Sequence, residues 1–86
     1  MDKQEVFLKL AGKINEQTGG SETVIQLSSK IMDIGLNSID FIKILVFVED
    51  EFGIEFDDND LLMEKYQVVE DMVDLICLYM KRNSHD

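Results

Sequence analysis

Few side chains in this sequence could do chemistry, and they are quickly sorted. The single histidine, His85, lies three residues past the end of the last helical pattern and next to the last residue given, where fraying is expected. Without a partnered histidine, neither a Ser-His-Asp nor a Cys-His device can be assembled. Cys77 sits among apolar residues at helical spacing, so it reads as a small core filler rather than a nucleophile. One cysteine also excludes an internal disulfide and a multi-cysteine zinc site. Seven acids fall within Glu49–Asp60, and Asp57-Asp58-Asn59-Asp60 begins like a calcium loop. The next two residues, Leu61 and Leu62, can neither chelate nor supply the glycine turn such a loop needs, so no metal site is expected.

Ser38 is different. It follows Gly35-Leu36-Asn37 and opens an apolar-periodic run. A hydroxyl there lies beside the unpaired N–H groups and partial positive charge of a helix start. A phosphodiester formed on it would be favoured by about 0.3–1 kcal/mol. The plainer reading is that Ser38 is one more capping residue, since serines begin many helices. Position alone leaves both open.

The elements that must hold this serine follow from periodicity. Asp2 followed by Glu5 has capping-box spacing, and Val6, Phe7, Leu10, Ala11 and Ile14 form one apolar stripe, predicting a helix over 3–17 that Thr18-Gly19-Gly20 ends. Residues 18–37 read as a long loop, which must be pinned or functional in a chain this short. Val24, Ile25, Leu27, Ile31, Met32, Ile34 and Leu36 could pin it, with a short turn around Ser28–Met32. A second helix is expected over 38–52, capped by Asn37 and closed by Gly53. Its core face is Phe41, Ile44, Leu45, Val48 and Phe52. Ile39, Val46 and Phe47 fall on the other side, more apolar surface than a solvated face requires. A short third helix is expected between Asp58 and Lys65, and a fourth over 68–82 with Val69, Met72, Val73, Ile76 and Met80 inward.

Charge placement narrows the partners. The net charge is −10, and residues 33–74 hold thirteen acids against only Lys43 and Lys65. Such a field repels nucleic acid and anionic lipid and steers toward basic protein surfaces. Met1-Asp2-Lys3-Gln4-Glu5 leads into no long apolar run, and no stretch approaches the roughly 20 apolar residues that span a bilayer. A cytoplasmic protein is expected, without nucleic-acid or membrane partners.

Taken together, Gly35-Leu36-Asn37-Ser38-Ile39-Asp40 and Val48-Glu49-Asp50-Glu51-Phe52-Gly53-Ile54-Glu55-Phe56 resemble the acyl and peptidyl carrier proteins. That family starts its second helix with a G-x-D-S-L-like stretch and closes it with an acidic E-E-E-F-like end. The resemblance spans the whole chain. It implies an all-α, four-helix bundle with a long first loop and a short third helix, one carrier domain over 1–86. It also implies that a phosphopantetheinyl transferase attaches the 4′-phosphopantetheine arm of coenzyme A to Ser38. The arm's thiol would hold acyl or aminoacyl groups as thioesters, and the protein itself would catalyse nothing. By position, Ile39, Lys43, Val46, Phe47, Glu49 and Asp50 would form the face read by loading and condensing enzymes with basic surfaces, the carrier being a monomer. Asn37 stands where the family usually has Asp, and Lys43 where fatty-acid carriers usually have an acid. Both departures point toward polyketide or nonribosomal peptide assembly, with fatty-acid synthesis as the alternative. A non-carrier reading also stands: an acidic helical adaptor in which Ser38 is only a cap.

Overall fold

The computed structural model describes residues 2–19 and 24–83; residues 20–23 of the expected loop, and His85, lie outside the described residues. Helix α1 spans Lys3–Gln17. Asp2 caps it as its spacing predicts, with Oδ1 accepting the Glu5 N–H at 2.9 Å. Thr18 closes it, the hydroxyl donating to the Ile14 carbonyl at 3.0 Å. Helix α2 spans Ser38–Phe52, and Gly53 ends it in the left-handed conformation (φ 66°) that costs glycine no strain. Helix α3 spans Val69–Asn83. The expected stripes meet in one core: Val6, Leu10 and Ile14 from α1, Phe41, Ile44, Leu45 and Val48 from α2, and Val69, Met72, Val73 and Ile76 from α3 are all buried.

The described part of the long first loop is pinned twice. Ile25, Ile31, Ile34 and Leu36 drop into the core, while Val24 and Met32 point outward. A 3-10 turn at Ile31–Asp33 falls at the end of the turn expected there. Backbone bonds then stitch the loop to the start of α3. The Ile31 N–H donates to the Gln67 carbonyl at 3.0 Å, and the Val69 and Glu70 N–H groups donate to the Ser29 and Leu27 carbonyls, each at 2.9 Å. These two α3 donors have no partner within their own helix, so the loop serves as the cap of α3. Asp71 completes it by accepting the Gln67 and Val68 N–H groups at 3.0 and 3.1 Å. Val68 is therefore held in a bridge with Lys30, and α3 begins one residue later than its periodicity suggests.

The expected third helix does not form as an α-helix, so the described residues contain three α-helices rather than four. Residues Asp58–Leu61 and Met63–Lys65 form two 3-10 turns, separated at Leu62 by extended backbone (φ −86°, ψ 118°). The cause is Asp60, an acid that the apolar pattern places on a surface but the fold buries. The Tyr66 hydroxyl donates to its carbonyl at 2.7 Å, the oxygen that a regular helix would give to residue 64.

Candidate cofactor-attachment site

Two buried anchors fix the ground on which Ser38 stands. Leu36, two residues before it, and Phe41, three after it, are both in the core. Gly35, at φ 82°, makes the turn between buried Ile34 and Leu36 in a conformation that side-chain-bearing residues rarely adopt. Asn37 then begins α2: its Oδ1 accepts the Asp40 N–H at 2.7 Å and its carbonyl accepts the Phe41 N–H at 2.9 Å. Ser38 is the first residue inside the helix and is exposed. Its hydroxyl makes no hydrogen bond among the described residues.

The local field suits a phosphodiester. With Asp40 capped, the N–H groups of Ser38 and Ile39 are left facing outward at the positive end of α2. Asp40, half-buried in the first turn, opposes a further negative charge. Asn37 accepts the capping bond without adding a second one. A free, exposed hydroxyl beside unpaired donors can take a phosphate-linked group with no rearrangement of the helix.

The face beside the serine is only partly the one expected. Ile39 is 67% exposed and Val46 50%, and Lys43 and Asp50 are exposed as well. Phe47 is a correction. It is half-buried against the core on the α1 side, and the Lys13 ammonium lies 5.0 Å from its ring centroid. Glu49 is half-buried too, and one of its oxygens is engaged by the Phe56 N–H at 2.8 Å, which ties down the segment after α2. Ile42, which sequence reasoning missed, joins Ile39 and Val46 as an exposed apolar residue. Its three-residue step from Ile39 was the signal that could have found it.

The other chemically capable side chains are not assembled into a site. Cys77 is half-buried, and burial first, then the Asp74 charge, push its thiol up, away from a reactive thiolate. Among the described residues no group of three or more His, Cys, Asp or Glu is placed to hold a metal ion, and no helix is long and apolar enough to cross a membrane.

Comparison with known proteins identifies the family. A family model described as a phosphopantetheine attachment site matches residues 8–76. The chain is 35% identical over 75 residues to an acyl carrier protein of Thermotoga maritima, covering 86% of this chain and 90% of that one. It is 36% identical over 72 residues to an acyl carrier protein of Campylobacter lari, covering 83% and 91%. The crystal structure of an acyl carrier protein from Thermotoga maritima superposes with a TM-score of 0.80 at 23% identity, covering 98% and 96%. The chain belongs to the phosphopantetheine-attachment family, whose members are carriers rather than enzymes and bear that group covalently.

Proposed function

We propose that this protein is an acyl or aminoacyl carrier domain, a single unit over residues 1–86, with its 4′-phosphopantetheine arm attached at Ser38. The observation that carries the reading is the free, exposed hydroxyl of Ser38 at the first position of α2. A phosphopantetheinyl transferase would join that oxygen to the phosphate of coenzyme A, displacing the nucleotide portion and taking the hydroxyl proton. The two outward N–H groups would share the phosphodiester's charge. When attached, the arm supplies a terminal thiol that holds the cargo as a thioester. Everything else falls to the chain: α2 fixes where the arm begins, and its exposed face is what enzymes read. The relatives named above are acyl carrier proteins, which favours acyl cargo.

Docking would use Ile39, Val46 and, at its edge, Phe47 as apolar contacts, with Lys43, Glu49 and Asp50 setting the charge pattern. Acidic residues steer basic cytoplasmic enzymes toward the carrier, and the apolar side chains act at short range. Neutral Asn37 and basic Lys43 favour service in polyketide or nonribosomal peptide assembly over fatty-acid synthesis.

Incubation with coenzyme A and a broad-specificity transferase should add the mass of one phosphopantetheine. Ser38→Ala should add none while keeping its helical circular dichroism. An unmodified wild-type chain beside a control carrier that is modified would reject the assignment.

A further inference from the structure

Asp60 is a buried charged side chain that the carrier chemistry does not use. Its carboxylate accepts from Lys65 Nζ and from the Tyr79 hydroxyl, and its Oδ2 also accepts the Asp57 N–H at 3.1 Å. Its backbone carbonyl holds the Tyr66 hydroxyl at 2.7 Å. The ring of Tyr66 packs on Phe41 of α2 at 5.4 Å between centroids, and that of Tyr79 meets Phe56 edge-on at 5.7 Å. One residue thus joins the segment 57–66 to α3 through Tyr79 and to the core side of α2 through Tyr66.

Besides Asp60, the segment meets α3 through Asp57, whose Oδ2 accepts from the Tyr79 hydroxyl at a longer 3.3 Å. Its turn bonds reach only three residues: Asp60 N–H to Asp57 at 2.9 Å, Leu62 N–H to Asn59 at 3.5 Å, Lys65 N–H to Leu62 at 3.1 Å and Tyr66 N–H to Met63 at 3.2 Å. Leu61 and Met63 are only half-buried and Leu62 is exposed. A stretch with few buried apolar contacts opens before the helices around it. The charged and titratable groups around the carboxylate are Asp57, Lys65 and Tyr66 from its own segment, with Tyr79 and, over the Tyr79 ring at 5.6 Å, Arg82 from α3. Burial alone would raise the pKa of Asp60, but hydrogen bonds from Lys65, Tyr79 and Asp57 outweigh it and hold the carboxyl below its usual range. At neutral pH the group is charged and the contacts are made.

We propose that Asp60 is a clasp that holds residues 57–66 shut against α3 and α2, and that loosening it at Lys65 opens the core beside Phe41 while the three helices stay folded. The handle is Lys65, whose side chain is 45% exposed against 2% for Asp60. A docking enzyme that offers Lys65 a carboxylate can draw it away, but nothing in solution can reach Asp60 directly. What the opening serves rests on the carrier reading: Phe41 lies one turn from Ser38, so the clasp governs how the core meets a cargo attached there. The opening itself does not depend on that reading.

Amide hydrogen exchange on the unmodified protein at pH 7 tests the clasp. In Lys65→Met and Asp60→Asn, the Lys65 and Tyr66 amides should exchange at least tenfold faster, with the core amides of α1 and α2 unchanged. Lys65→Arg, which keeps a donor, should restore most of the protection. Unchanged exchange at 65 and 66, or equal acceleration through all three helices, overturns the proposal. Should Asp60→Asn fail to fold, Lys65→Met decides, because it leaves the Tyr79 and Asp57 bonds in place. Failure of Ser38 to accept an arm would count against the carrier reading alone.

Discussion

At the scale of single residues, the site is a problem of helix capping. Asn37, Ser38 and Gly53 could be placed from sequence because capping depends on neighbours three or four positions away. Phe47 could not, because the ammonium beside it comes from Lys13 on another helix. The second engagement of Glu49 was not legible for a similar reason: its bond to the Phe56 N–H spans seven residues and ties the segment after α2 to that helix. Asn37→Ala removes the 2.7 Å bond to the Asp40 N–H and should cost about 1 kcal/mol in chemical denaturation. Ile39→Asp, at a side chain 67% exposed, should move stability by no more than about 0.5 kcal/mol. If Ile39 is a contact for the transferase, the same change should lower kcat/KM for arm transfer roughly tenfold, about 1.4 kcal/mol. Unaltered transfer kinetics would remove Ile39 from the docking face.

At the scale of elements, α1 and α2 begin and end where the sequence places them, since apolar stripe and caps agree. The segment 57–66 departs because its pattern of Leu61, Leu62 and Met63 resembles a helix, whereas its geometry is decided by Tyr66, Tyr79 and Lys65. Tertiary bonds to a buried acid leave no periodic trace. The long loop was readable in outline, from its apolar residues, but not in its role as the cap of α3, which depends on backbone carbonyls alone. Ile31 and Met32 are adjacent and of similar size, yet one is fully buried and the other 68% exposed. Ile31→Ala should therefore cost about 2–5 kcal/mol, while Met32→Ala should stay within about 0.5 kcal/mol. Equal losses in thermal or urea unfolding would show that the loop is not fastened as described.

At the scale of the whole molecule, charge and packing pull in opposite directions. A radius of gyration of 12.2 Å is close to the roughly 12 Å of a compact chain of this length, although the sequence carries a net charge of −10. Self-repulsion across residues 33–74 weakens that compactness. Acid has two effects: protonating surface carboxylates relieves the repulsion, while protonating Asp60 breaks its contacts. The carboxyl of Asp60 lies below its unfolded value, so its contribution is present above that value and is lost as pH falls through the folded one. Comparing wild type with Asp60→Asn isolates this contribution. The stability gap between them should be widest near pH 7 and should narrow as the pH drops below about 5. A gap independent of pH would mean that the charge of Asp60 contributes nothing.

The stitches between the first loop and the start of α3 also bear on motion at Ser38. The serine stands between Leu36 and Phe41, both locked in the core, and the loop leading to it is fastened to another helix by its own backbone. Its main chain therefore behaves as a fixed pivot. Whatever is hung from that oxygen swings by rotation about the bonds of the tether, so its reach is set by tether length and not by bending of the protein beneath it.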